Sequence, residues 1–445
     1  MENKLTKNNF FSLGLKIFSS LKDHEELTLS LVGEETNYLR FNKAKVRQSL
    51  HLVQGNINLN FTSQEKTCSW SIPFHQDLEQ TLEKMTTALG HLRTEAASLP
   101  EDPFLVKTQN NGPYEKDHEG TLPPDDELVH SILSPGKDLD LVGIYSGGKN
   151  IRANMNSKGQ KQWFSTTNFL VDFSLYDADQ NAVKGYYGGQ LWDQESYNQK
   201  ISQAKEQLEL MKRPRKKVSR GSYRTYFAPA AVSEILTMMS WGGVSAASFK
   251  KSESALGPLA NNKKSLSPKF SLLEDFKLGL CPPFNEYGEL SNDTISLIVN
   301  GQLKNLLTNS KTAKEYDLKS NGANQSEGLR SPLIKTGGLK KENILKTLGT
   351  GLYLSNLHYL NWSDMRGGRM TGMTRFACFW VEDGKIVAPI EDLRFDESLY
   401  NFWGEQLVDL TNFSETFPEP GTYSQRGVGG VNVPGMIVEN FSFTL

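Results

Sequence analysis

Two His-Glu dipeptides, His24-Glu25 and His118-Glu119, are the residues most suggestive of metal-dependent hydrolysis. In a zincin, two His one helical turn apart hold zinc on one helix face and a Glu polarises the bound water. The second His is missing in both cases. After His24-Glu25 its places hold Thr28 and Leu29, and after His118-Glu119 come Gly120 and the helix-breaking Pro123-Pro124. His51, His75, His91, His130 and His358 are isolated and read as packing or surface residues. Cys68, Cys281 and Cys378 form no C-x-x-C, which excludes a zinc ribbon, a thioredoxin motif and a disulfide framework. No G-x-S-x-G nucleophile elbow occurs. Gly143-Ile-Tyr-Ser-Gly-Gly148-Lys149-Asn150 approaches a P-loop, but Asn150 stands where the Mg²⁺-binding hydroxyl is needed, and the residues after it do not read as a helix. A β-turn is expected there. The adjacent acids Glu25-Glu26 and Asp125-Asp126 diverge on any regular element and read as solvated.

Two further segments could bind something. The basic run Lys212, Arg213, Arg215, Lys216, Lys217, Arg220, Arg224 could contact phosphate or an acidic peptide. Few aromatics interleave it, so a solvated helix end and linker over 212–224 is the better reading, and nucleic acid is not expected as a partner. Residues 361–375 concentrate Gly, Met and Arg, and glycine lets a backbone approach another surface closely. Arg366, Gly367, Gly368, Arg369, Thr371 and Gly372 are therefore expected to form an interface or substrate-facing loop.

The chain that must position these residues has 445 residues, 37% hydrophobic and 22% charged, enough for two or three domains. Lys+Arg is 49 and Asp+Glu is 51, a net charge of −2, so no chain-wide basic footprint exists for DNA or anionic membrane. The N-terminus reads as an amphipathic helix rather than a signal peptide, and no run of apolar residues is long enough to span a membrane. A reducing, cytoplasmic location is expected.

Between Leu27 and Ile72, five short alternating runs separated by Gly33, Asn42 and Gly55 predict an antiparallel meander. Leu78, Leu82, Met85, Leu89 and Leu92 predict a helix that Pro100 ends. Residues 99–127 read as a linker or long surface loop. A short helix after Glu127, strand-like runs to Gly189 and a helix over about 192–212 come next, the last with Tyr197, Ile201, Ala204, Leu208 and Met211 on one stripe. The remainder, from 223, reads as largely irregular with short strands. Within it a helix is expected at Ala230–Trp241 behind Pro229, a hairpin turning at Asp383-Gly384, a helix at Glu397–Leu410 and a closing strand. Segregated helices and strands predict an α+β fold of mixed antiparallel sheets and packed helices, ending in a β-rich region. The expected domains are 1–105, 125–213 and 222–445.

Four stretches, in order, carry a family resemblance: YFAPAAVSEIL; GLYLSNLHYLNW with MRGGRMTGMTRFACFWVEDGKIVAPI; LRFDESLYNFWGEQLVDL; and GTYSQRGVGGVNVPGMIVENFSF. Together they resemble the TldD/PmbA family, also called modulator of DNA gyrase proteins. The resemblance implies a cytosolic two-component zinc metallopeptidase. One subunit, TldD-like, carries H-E-x-x-x-H and a Cys ligand near the C-terminus. The other, PmbA- or TldE-like, lacks them and pairs with it around an enclosed cavity. With Pro229 set against the family's proline, Thr237 and Met238 stand where His-Glu would be, Gly242 where the second His would be, and Tyr423 near the Cys. None is a strong zinc ligand.

The chain is thus expected to be the TldE-like, non-catalytic subunit, with no catalytic or metal residue and no cofactor of its own. Zinc is expected in a TldD-like partner, with peptides or unfolded proteins as substrate. A homodimer is equally compatible. The alternatives are a metallopeptidase with atypical ligands and a stand-alone scaffold or nucleic-acid-binding protein.

Overall fold

In the computed structural model, residues 4–444 are described and fall into an α+β arrangement of two sheets. Helix α1 (Lys7–Phe18) opens the chain, capped by Thr6, whose hydroxyl accepts from the Asn9 N–H. The first sheet contains β1 (Glu25–Asn42), β2 (Lys45–Ser63), β3 (Lys66–Pro73), β4 (Tyr114–His118), β5 (Asp140–Asn156), β6 (Lys161–Tyr176) and β7 (Ala182–Gly189). Its order is β3-β2-β1-β5-β6-β4, with β7 also on β6. Helices α2 (Leu78–Ser98), α3 (Leu128–Leu133) and α4 (Gln194–Met211) are interspersed.

The five short runs are three long strands. Gly33 and Gly55, expected at turns, lie opposite each other inside the β1–β2 ladder. A Cβ on Gly33 would come within 2.8 Å of the Leu5 side chain, so the paired glycines make room for Leu5 rather than reverse the chain. The P-loop-like segment is likewise neither a phosphate loop nor a β-turn: Gly143–Asn150 runs through the middle of β5. The segment expected as a linker supplies β4, which pairs parallel to β6. Its charged side chains suit an edge position and hide the strand signal. The strands of 1–105 and 125–213, expected as separate units, share one sheet, because β1 pairs with β5 from Thr28↔Asn156 to Phe41↔Gly143.

Strand alternation gives this sheet two unlike faces. Leu27, Leu29 and Leu31, Ile57, Leu59 and Phe61, and Ile151, Ala153 and Met155 bury against α1 and α2. Farther along the same face, Leu39, Phe41, Tyr145 and Phe173 bury against the Tyr197–Met211 stripe of α4. The opposite face carries Glu34, Asn150, Arg152, Asn154, Gln162, Thr166 and Asn168, and is turned toward the second half of the chain. Asn154 donates to the Glu286 carbonyl at 2.8 Å and Gln162 to the Gly288 carbonyl at 3.0 Å.

The second sheet holds β8 (Gly221–Phe227), β9 (Leu272–Asp275), β10 (Thr294–Val299), β11 (Gln302–Leu303), β12 (Pro332–Ile334), β13 (Gly351–Asp364), β14 (Arg369–Glu382), β15 (Lys385–Pro389), β16 (Arg394–Ser398), β17 (Leu407–Pro418) and β18 (Gly430–Phe443). Its order is β11-β10-β9-β12-β18-β16-β14-β13-β8, and β8 also pairs with β18, so five strands close on themselves and remove their edges. Strands β13, β14 and β18 are long, so this half is more regular than its sequence suggests. Asp383 (φ 47°) and Gly384 (φ 72°) form the expected tight hairpin turn. The helix expected at Glu397–Leu410 is reduced to a short helical turn over 399–405, which includes the π-turn Asn401–Glu405. Leu399, Phe402, Trp403, Leu407 and Leu410 have helical spacing and are all buried, but they serve that turn and the strand β17. Gly404, at φ −104° and ψ −123°, ends the turn.

Candidate functional site

Helix α5 (Pro229–Met238) leaves β8 with Pro229 in its first turn, where the missing N–H costs nothing. Ala231, Val232, Ile235, Leu236 and Met239 fix it in the second core. The motif positions therefore have defined fates. Thr237 is exposed at the helix end and donates its hydroxyl to the Ser233 carbonyl at 2.9 Å. Met238 is buried in the core. Gly242 has φ +84°, and a Cβ there would lie 3.0 Å from the Ser248 hydroxyl. Tyr423 is fully exposed on the loop between β17 and β18. A hydroxyl bonded to its own helix, a buried thioether, a glycine and a phenol facing solvent do not make a zinc site. Among the described residues, no group of three or more His, Cys, Asp or Glu is placed to hold a metal.

The Gly-Arg segment divides. Met365 to Gly368 is a turn beside α5, and Met365 Sδ lies 3.6 Å from where a Gly242 Cβ would be. Arg366 is exposed there. Gly367 donates its N–H to Asp364 at 3.0 Å, and Gly368 takes the left-handed φ of +66°. The rest is strand: Arg369 pairs with Asp396 at 2.7 Å, Thr371 donates to the Phe395 carbonyl at 2.8 Å, and Gly372 faces Phe395 across the β14–β16 ladder. Most of the basic run is docked, while Lys217 and Arg220 are exposed. Arg213 donates to the Ile386 and Val387 carbonyls, Lys216 pairs with Glu382 and lies 4.3 Å above the Trp380 ring, and Arg224 pairs with Glu439.

What the structure brings together at the end of α5 is a cavity of about 380 Å³ between the polar face of the first sheet and the second half of the chain. Thr237 lines it from α5, Ser240 from the turn that follows, Arg152 from β5, and Cys281 and Arg330 from loops around β9 and β12. Burial lowers the Arg152 pKa to about 10 and pushes the Cys281 thiol up to about 12, so the cysteine is a neutral wall rather than a nucleophile. Glu274, buried behind Arg330, is raised to about 7 by burial, against the pull of Arg330 and the N–H groups of Arg330 and Ser331. On the other side of α5, burial raises Glu234 to about 7, with Lys184 opposing and Asp172 reinforcing. Arg426, from the Tyr423 loop, is buried against the first sheet, donating to Asn168 and to the Gly148 carbonyl. Sequence reasoning missed Arg152, Arg330 and Cys281. One signal was available: Asn150, Arg152, Asn154 and Asn156 alternate through β5 and mark a polar face.

A two-sheet α+β chain, with a partly closed barrel and a cavity at the end of its first barrel helix, defines the class. Residues 220–445 match the PmbA/TldA metallopeptidase C-terminal domain, and the chain belongs to the PmbA/TldD metallopeptidase family. A 134-residue stretch is 31% identical to metalloprotease PmbA of Escherichia coli O157:H7, covering 30% of this chain and 28% of that relative's length. The fold is similar to that of TldE from Thermococcus kodakarensis (TM-score 0.80, 15% identity, 98% of this chain and 100% of that one). It is also similar to a candidate modulator of DNA gyrase from Bacteroides thetaiotaomicron (TM-score 0.77, 16% identity, 100% of both chains). No helix among the described residues is long and apolar enough to cross a membrane.

Proposed function

We propose that this chain is a non-catalytic, TldE-like subunit of a cytoplasmic metallopeptidase assembly that degrades peptides or unfolded proteins. The observation that carries the reading is the donor set at Thr237, Met238, Gly242 and Tyr423, which offers zinc no strong ligand in a metallopeptidase family. Zinc would be held by a TldD-like partner, where it supplies an activated water. This chain would contribute wall and substrate contacts. The likeness to TldE over 98% of the chain supports the assignment at the level of fold. The strand β3 also ends the first sheet with an edge to which an extended peptide can add.

The test is co-expression with an H-E-x-x-x-H chain. The expected result is a stable complex that cleaves unfolded peptides and carries zinc, while this chain alone carries none. A chain that purifies only as a homodimer with no effect on the partner's activity overturns the reading. Stoichiometric zinc on the chain alone would favour an active enzyme with atypical ligands.

A further inference from the structure

We infer that the cavity at the end of α5 is a binding site for the C-terminal carboxylate of a short peptide with an apolar terminal side chain, received by Arg152 and Arg330. Two guanidinium groups from distant parts of the chain line one cavity. Among the described residues, no carboxylate stands within 4.0 Å of either. Arg152 donates only to main-chain carbonyls, Ile151 at 2.7 Å and Arg426 at 3.4 Å. Arg330 lies 4.6 Å above the Phe276 ring and donates to the Phe284 and Gly322 carbonyls and the Ser291 hydroxyl, at 3.0–3.1 Å. These dipoles orient the two forks without neutralising them, and burial already weakens the hold of Arg152 on its proton. A buried, oriented cation with no carboxylate in contact is what an anion site needs, and the guanidinium fork matches a carboxylate.

The nearby carboxylates are otherwise engaged. Glu34 accepts from Thr36, Tyr38 and Gln54, and Glu274 accepts the N–H groups of Arg330 and Ser331. Two more line the cavity: Glu286 accepts the Gln325 N–H, and the exposed Glu419 accepts the Gly421 N–H. The walls select what accompanies the anion. Val32, Phe284, Leu329 and Val431 give an apolar surface that inorganic phosphate cannot use, while Ser240 offers a hydroxyl that a fatty acid cannot use.

The inference concerns this chain by itself and does not depend on a partner. Calorimetric titration of the whole chain with N-acetyl-Ala-Leu, its C-terminal amide, inorganic phosphate and decanoate tests it. The free acid is expected to bind, the amide at least about tenfold more weakly, and phosphate and decanoate more weakly than the free acid. Arg152→Met and Arg330→Gln are each expected to weaken the free acid about tenfold or more, with Arg152→Lys retaining part of the affinity. Cooperative unfolding of each variant checks that it is folded. Equal binding of acid and amide, tighter binding of phosphate or decanoate, no binding of the free acid, or wild-type affinity in a folded Arg152→Met protein overturns the inference.

Discussion

The two faces of the first sheet are made from the same strands and do opposite work. On β5, Ile151, Ala153 and Met155 are sealed beneath helices, while Asn150, Arg152 and Asn154, one residue out of phase, face the second half of the chain. The apolar face stabilises by removing area from water, roughly 25 cal/mol per Å². The polar face gains little from burial and must satisfy each group it hides. It does so with contacts such as Asn154 to Glu286, but leaves both polar atoms of Asn150 without a protein partner. A sheet that needed only stability would not place so many amides and a guanidinium against its neighbour. The difference gives one face the apolar core and leaves the other with buried polar groups that packing alone does not satisfy.

The comparison can be broken by substitution, and the largest effect belongs to the apolar face. Phe61, 1% exposed among the α1 and α2 side chains, leaves a cavity when truncated. Phe61→Ala is expected to lower unfolding free energy by about 3–5 kcal/mol, read from urea denaturation. On the polar face, Arg426→Met removes the bonds to Asn168 and Gly148 that tie the Tyr423 loop to the sheet. We expect a loss of about 2–3 kcal/mol together with faster proteolysis within 419–429. A polar-face loss equal to that of Phe61→Ala would remove the distinction between the faces.

At the rim of the apolar face, Arg93 of α2 grips Glu25 with two bonds of 2.8 and 2.7 Å. Burial works to raise the Glu25 pKa, but the Arg93 bond, the Lys22 N–H and the Arg93 charge outweigh it and hold the carboxyl below its ordinary 4.5. A folded-state value lower than the unfolded one gives stability that is present above the unfolded pKa and lost as pH falls through the folded one. Arg93→Met is therefore expected to cost about 1.5–3 kcal/mol at pH 7, with the gap to wild type narrowing as pH falls below 4.5. A gap that stays constant down to pH 3 would show that the arginine's packing, not its charge, matters.

The division between faces also decided what the sequence made visible. The helix stripes of α2 and α4, the Asp383-Gly384 turn and the closing strand were legible because each is a local pattern with a local cause. The length of β1 and β2 was not, because Gly33 and Gly55 read as punctuation until their pairing around Leu5 is known. The helix expected at 397–410 was drawn too long, because the residues after its single turn are buried on several sides and their spacing carries no face. The positions Thr237, Met238 and Gly242 were reached by resemblance alone, and the structure gives only their surroundings: a hydroxyl bonded to its own helix, a buried thioether and a glycine. The cavity was not legible. Arg152 and Arg330 meet only through the packing of two sheets, and no local motif joins positions so far apart.

The smallest expected effect separates the two accounts of the polar face most cleanly. Asn56 lies opposite Val32 on β2, which places it on the same face as Glu34 and Arg152, but it is exposed and forms no side-chain hydrogen bond among the described residues. If the polar face carries structure along its whole length, replacement of its polar residues should be costly wherever it is made. If it carries structure only where it packs on the second half of the chain, only the buried members should matter. Threonine fits a strand better than asparagine, since its β-branched side chain suits the pleat. Asn56→Thr is therefore expected to change unfolding free energy by less than about 0.5 kcal/mol, in either direction, in the urea titration used for Phe61→Ala. A cost above about 1 kcal/mol would mean that the exposed part of the polar face also carries structure, and the contrast between the two faces would have to be redrawn.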